Sequence, residues 1–446
     1  MINTIATRKQ TLFTPSGVKS AIPLLAVATV VATFALAGPR AALLLMIGVG
    51  FGLALEGLRF GFAGPWRQML VERDCRGLLA QFLAIALCAV IAFPLLESAS
   101  AELNAAHAPV GLAMIAAAFI FGATMQIVLA CGSGVLVNAG SGNIIALLAL
   151  PGFIAGSFLG TLHLDWWTSI GSLPVYSMQN LFGAGTGLWV TLAGLLALGM
   201  AAARRALPDK RLPGSRLWWA ATLVAALAVL NLLISGQTWG IVYGLGLWGA
   251  KAAQAGGMDV AASGFWATVS NAERLNQSIF TDVTSLTNIG IMAGALMVMH
   301  WRRADSKGSA AAQASLPTAG LWVLMILGGL ILGYSSRLAF GCNVGAYFSG
   351  IATGSLHGWV WFFAAFAGAM LGIRLRQRFF AAADRTAVKL KPPGRSLTSV
   401  GAVLLVLVLL LLDYRLADPI NPFAAPPPAA YGSGLAPTGA HCTQFN

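Results

Sequence analysis

Leu129-Ala130-Cys131-Gly132-Ser133-Gly134 and, far downstream, Ser336-Arg337-Leu338-Ala339-Phe340-Gly341-Cys342-Asn343-Val344-Gly345 each interrupt an apolar run with small residues around one cysteine. In a helix surrounded by hydrocarbon, such a break frees backbone N–H and C=O groups, so it must be buried in protein or line a cavity. Gly140-Ser141-Gly142 follows the first break, and Gly350 with Gly354-Ser355 follows the second. Spaced glycines come next, at Gly152, Gly156 and Gly160 in one half and Gly368 and Gly372 in the other. Small residues at this spacing let helix backbones approach closely in lipid. Paired Gly-interrupted segments at corresponding places in two halves point to a transporter's substrate site.

Composition sets the surroundings of these breaks. Of 446 residues, 58% are hydrophobic and 9% charged, with a mean hydropathy of +0.79, against about 25% charged in ordinary soluble domains. Apolar runs of roughly 14 to 21 residues recur along the chain, and about 20 are needed to cross the hydrocarbon core. They fall near 21–38, 41–57, 78–96, 110–130, 143–162, 183–203, 217–234, 239–252, 287–301, 319–336, 356–373 and 398–412. The expected fold is all-α: a polytopic membrane protein of two inverted repeats, with short re-entrant helices and Gly-rich breaks. A net charge of +13 does not point to nucleic acid, because no basic domain interleaved with aromatic residues presents it.

The charge instead orients the chain in a bacterial inner membrane. Basic residues gather at Arg59–Arg76, at Arg204–Arg216, at Arg302–Lys307 and between Arg374 and Arg395, whereas 97–109 and 163–182 hold no Lys or Arg. Cytoplasmic loops carry the positive excess, so the two uncharged segments are expected outside. Parity then makes the Cys131 hairpin turn inward and the Cys342 hairpin turn outward. Three apparent spans between 217 and 301 join two inward loops, so one of them does not cross. Run 239–252 is the shortest and is expected to be re-entrant; if the N-terminal half mirrors it, 41–57 is re-entrant too. The expected organisation is a polar segment (1–20), a first repeat (21–203), a basic linker (204–216), a second repeat (217–396), an additional transmembrane helix (397–413) and a Pro/Gly-rich tail (414–446). Ala35-Leu36-Ala37 has the look of a signal-cleavage site, but the run before it is long for a signal core, and a retained first helix is expected.

The chemistry expected at the breaks is anion binding without a cofactor. Helix starts present free N–H groups and a positive dipole end, which places Gly142, Asn143, Ser355 and His357 at candidate half-sites. A thiol is a weak donor and a soft, polarisable acceptor, so Cys131 and Cys342 suit a ligand with terminal sulphur, although buried cysteines often serve only as small hydrophobes. Gly132, Gly134, Gly341, Asn343 and Gly345 complete the cysteine turns. Arg337 is the strongest charged candidate, since ionisable groups at membrane depth are costly and usually functional; the bland alternative is an arginine snorkelling from a helix end. His357 caps or lines the second half-site. The five cysteines have no metal-ligand spacing, and Cys75, Cys88 and Cys442 are expected to be bystanders. Arg59 has Glu56 as a possible helix-neighbour partner. The polar stretch Asn276, Gln277, Asp282, Thr284, Ser285 and Asn288 is a candidate border of an outer vestibule.

On these residues, together with Leu58-Arg59-Phe60, Ala63-Gly64, Arg67 and Trp248-Gly249-Ala250-Lys251, the chain resembles the YeeE/YedE sulphur-transport family from Gly48 to Gly372, and the YedE-like branch most. The resemblance implies an hourglass-like helical body of inverted repeats whose central cysteines contact thiosulfate in succession through S–H···S hydrogen bonds. Family members usually carry a cysteine where this chain has Gly61, so a relay of three thiols is reduced to two. Thiosulfate is the leading substrate, with a selenium or other sulphur compound as an alternative. A membrane sulfurtransferase working through a cysteine persulfide is the alternative from another class. The expected partners are a small sulphur-containing anion, the lipid bilayer and a cytoplasmic sulphur-carrier protein.

Overall fold

The computed structural model describes residues 15–305 and 319–379. The expected helix at 397–413, the tail 414–446 and Cys442 lie outside the described residues, as does most of the polar segment 1–20. The N-terminal half contains α1 (Pro15–Gly52), α2 (Ala63–Arg67), α3 (Arg76–Ser98), α4 (Leu112–Val128), α5 (Gly132–Gly140), α6 (Ile144–Ser169), α7 (Met178–Phe182) and α8 (Ala184–Arg205). The C-terminal half contains α9 (Ser215–Ser235), α10 (Val242–Ala255), α11 (Gly264–Ala267), α12 (Val269–Asn276), α13 (Val283–Asp305), α14 (Ala319–Leu338), α15 (Gly350–Ala352) and α16 (Leu356–Phe379). Among the described residues, nine helical segments are long and apolar enough to cross a membrane. The chain is an all-α, multi-pass membrane protein.

The boundary expected between 21–38 and 41–57 falls at Gly38, whose φ of 85° and ψ of 177° divide α1. Pro39 follows, a residue suited to the first turn of a resumed helix. Arg40 then donates to the carbonyls of Ile234 and Ser235, both at 2.8 Å, satisfying acceptors at the end of α9. Run 239–252 overlaps α10, which starts three residues later, is 14 residues long and is too short to span. Stretch 41–57 lies along α13, with Gly48 and Gly52 seated against Gly290 and Gly294, within a segment, Val27–Gly57, long and apolar enough to cross a membrane. The N-terminal half has short helices of its own, among them α2, continued by a wider turn over Gln68–Glu72.

Helices that flank the two breaks are packed crosswise: α4 lies along α16, and α14 lies along α6. Likewise α1 packs on α13 and α3 on α9. The spaced glycines form these seams, with Gly156 against the Leu330 backbone and Gly372 against that of Ala123. The breaks share a backbone. Leu129 and Phe340, each two residues before a cysteine, are left-handed at φ 58° and 56°; Cys131 and Cys342 are both extended at φ −97°.

At one end, loops 73–76 and 205–211 are laced together. Cys75 donates its amide to the Lys210 carbonyl at 3.3 Å, and its thiol lies 3.4 and 3.3 Å from the Lys210 and Arg211 carbonyls. Asp74, buried and just outside the α3 span, accepts from the Arg76 guanidinium at 2.7 Å and the Arg76 amide at 3.0 Å, and the side-chain bond holds its carboxyl below the ordinary value. A depressed carboxylate contributes stability above its unfolded pKa of about 3.9 and loses it as pH falls through the folded value. Thermal melts of wild type and Asp74→Asn should therefore differ near neutrality and converge in acid below about pH 3.9.

Candidate functional site

Residues 236–241 lead into α10, and three neighbours hold this entry. Ser349 donates to the Trp239 carbonyl at 2.7 Å, Asn288 to Ile241 at 2.9 Å and Ser157 to Val242 at 3.0 Å. Arg337 adds a fourth bond, to the Val242 carbonyl at 3.2 Å. Between the start of α10 and the Cys342 break lies a small cleft, part of it open to solvent. Gln237, Thr238, Tyr243, Arg274, Thr284, Arg337, Phe340, Gly341 and Gly345 are among its lining residues. Among the described residues its wall carries two arginines and no carboxylate.

Both guanidiniums are fixed by aromatic faces. Arg337, 2% exposed, sits 5.2 Å from the Phe265 ring centre and 5.8 Å from that of Tyr243, and Arg274 approaches the same Tyr243 ring at 5.3 Å. Cation–π contacts of this kind place a charge without neutralising it. Arg274 also pairs with Asp282 at 3.2 Å. Asp282 accepts from the Thr284 hydroxyl at 2.8 Å and the Ser285 amide at 2.7 Å, capping the start of α13. The Tyr243 hydroxyl donates to Asn271 at 2.7 Å.

Cys342 is fully buried beneath this cleft, flanked by the lining residues Gly341 and Gly345. Its Sγ lies 3.0 Å from where a Cβ on Gly132 would stand, so the turn carrying Cys131 touches the turn carrying Cys342. A side chain at 132 would crowd the Cys342 sulphur. Cys131 begins α5, its Sγ 3.4 Å from the Gly134 amide and 3.3 Å from the Ser133 hydroxyl. The side-chain amide of Asn343 is buried and meets no hydrogen-bond partner among the described residues, leaving both donor and acceptor available beside Cys342.

The remaining expected site residues stand elsewhere. His357 turns Nε2 to the Ala339 carbonyl at 3.0 Å and packs its ring on Phe340, supporting the break from behind. Ser355 joins a short bridge to Ser177. Gly142, left-handed at φ 75°, and the exposed Asn143 lie at the far end of α5 from Cys131. Glu56 does meet Arg59, at 3.4 Å, but its closer partner is Arg302 at 2.6 Å. Sequence reasoning missed Arg274 and Tyr243. The available signal was that Arg274 is the lone basic residue of 254–286, just ahead of the polar stretch already singled out.

Aromatic rings pack together in the interior beside the entry to α10. Phe51 stacks on Trp239 at 3.8 Å, and Phe62 meets Trp239, Tyr347 and Phe348 at 6.4, 6.4 and 6.3 Å. Gln81 ties this layer to the Gly61 turn, donating to the Gly61 carbonyl at 2.8 Å while accepting from Trp66 at 3.0 Å.

Fold and cleft together define a multi-pass helical membrane protein with a basic, partly open cleft above a buried pair of cysteine turns. The chain belongs to the sulphur transport family, whose model, described as "Sulphur transport", matches residues 58–371. It is similar to the probable transporter YedE of Escherichia coli K12, 26% identical over 163 residues, and to that of Salmonella typhimurium LT2, 25% identical over the same length. Each alignment covers 36% of this chain and 38% of the relative, so the chain matches well under half the length of these curated relatives.

Proposed function

We propose that this protein moves a small sulphur-containing anion, with thiosulfate the leading candidate, inward across the bacterial inner membrane. The anion enters the cleft between Arg274 and Arg337 and passes the thiols of Cys342 and then Cys131. The observation that carries this reading is the basic cleft whose floor, Gly341 and Gly345, brackets Cys342 while Gly132 lies against its sulphur. Guanidiniums attract the oxyanion end, and a thiol offers a weak donor and soft surface to terminal sulphur. The halves 21–203 and 217–396, joined by the linker 204–216, act as inverted repeats; the crosswise packing and the matched backbone at Cys131 and Cys342 support this. With the basic loops inside, the cleft faces outward. A cytoplasmic sulphur carrier reaching those loops would draw the product onward.

Radiolabelled thiosulfate uptake into proteoliposomes tests the reading. Loss of one thiol contact costs about 1.4 kcal/mol, so Cys342→Ala and Cys131→Ala should each cut uptake at limiting substrate by about tenfold. Unchanged uptake in both would remove the mechanism. Competition by selenium oxyanions or sulfite would reassign the substrate. An added sulphur atom in the intact mass after exposure would favour a persulfide-forming sulfurtransferase.

A further inference from the structure

The two cysteine turns share a backbone and a clamp but differ in charge. Five residues ahead of Cys342, Arg337 donates to the carbonyl of Val242, the first residue of α10, at 3.2 Å. Five residues ahead of Cys131, Gln126 donates to the carbonyl of Ala63, the first residue of α2, at 3.0 Å. Both side chains are buried, 2% and 1% exposed. The helices they hold start alike, after Gly240-Ile241 in one case and Gly61-Phe62 in the other. One post thus carries a permanent cation and its counterpart a neutral amide.

We propose that this pair makes the carrier's affinity unequal on its two faces: Arg337 captures the anion at the cleft, and Gln126 marks a release-side half-site that binds weakly because it is neutral. The inference rests on the transport reading above and adds to it a residue that sets where the anion is let go. A charge-assisted hydrogen bond is about twice as strong as a neutral one, and a permeating ion must be held strongly enough to enter yet weakly enough to leave. Two of the cations near the release side are engaged in other work. Arg302 is bound to the Glu56 carboxylate at 2.6 Å, and Arg376 donates to the Ile127 carbonyl, where it offsets the negative end of α4. Detailed balance still holds: without an energy source, a lower KM on one face is matched by a lower turnover from that face, so the gradient alone decides net direction.

Initial uptake of labelled thiosulfate, measured from each face in oriented vesicles, tests this. The wild type should show a KM about tenfold lower at the cleft face than at the opposite face, the difference expected when a charged donor replaces a neutral one. Arg337→Gln should raise the cleft-face KM to the level of the other face. Gln126→Arg should lower the opposite-face KM and slow inward turnover, and the double exchange should reverse the asymmetry. Should Gln126→Arg not fold, Gln126→Glu keeps the side-chain shape and should raise the opposite-face KM further. Equal wild-type KM values on both faces, or folded variants that leave both values in place, would overturn the inference while transport stands. A wild type with no flux of any sulphur or selenium anion from either face would defeat the transport reading itself, and this inference with it.

Discussion

Asp282→Ala lowers the stability of the detergent-solubilised protein by about 3–5 kcal/mol, the cost of leaving a buried charge without its partner. Arg274 and Asp282 have side chains only 7% and 3% exposed, 3.2 Å apart. Removing the carboxylate strands the Arg274 guanidinium against the Tyr243 ring, in a place where water can solvate little of it. The same substitution removes the acceptor for Thr284 and for the Ser285 amide, a helix cap worth about 1 kcal/mol. The two losses can be separated. Asp282→Asn keeps a cap oxygen but loses the charge, and Asp282→Leu combined with Arg274→Met removes both charges together. Because paired apolar replacements at buried ion pairs are often near neutral, the double variant should recover most of the loss apart from the cap. Thermal unfolding followed by tryptophan fluorescence checks this; an Asp282→Ala protein as stable as wild type would mean that the pair is solvated. In transport, the double variant should weaken uptake through the loss of Arg274, even where its stability is restored.

The sequence showed the membrane character and the cysteine breaks because both depend on local composition. A run of apolar residues can only be satisfied by lipid or core, and a Cys-x-x-Gly interruption rich in small residues frees backbone groups within it. The shortness of α10 was equally local, read from run length and loop charge. Arg274 was hidden because nothing in the chain near it specifies a cleft: residues 256–282 bring it to α14 only through the tertiary path of α11 and α12. Re-entrance of 41–57 was expected only on the condition that the N-terminal half mirrors 239–252, whereas α2 is too short and too interrupted by Pro65 to register as an apolar run. Gln126 is the subtler case. A single glutamine in an apolar helix carries little signal by itself, and its correspondence with Arg337 emerges only once both are seen holding the first residue of a short helix.

The glycine seams make the second strong prediction, and here two physical arguments oppose each other. Glycine is about 1 kcal/mol worse than alanine inside a helix, so intrinsic propensity says that Gly156→Ala or Gly333→Ala stabilises. Packing says the reverse. A Cβ on Gly156 would run into the Leu330 carbonyl, and one on Gly333 into that of Phe153, and neither backbone can give way as a flexible side chain would. The helices α6 and α14 would have to part along their length, losing dispersion contacts that hydrocarbon does not replace specifically. Overpacking commonly costs about 1–3 kcal/mol and more where backbone must move, so Gly156→Val and Gly333→Val should fail to give monodisperse protein on size exclusion. The damage should also reach the cleft, because α6 carries Ser157 and α14 carries Arg337, both bonded to the Val242 carbonyl. Gly185, with nothing within 4 Å of its would-be Cβ, is the control: Gly185→Ala should change stability by no more than about 0.5 kcal/mol. Should the seam alanines prove as harmless as Gly185→Ala, α6 and α14 would not be in backbone contact in the membrane, and the clamp on Val242 would lose its physical basis.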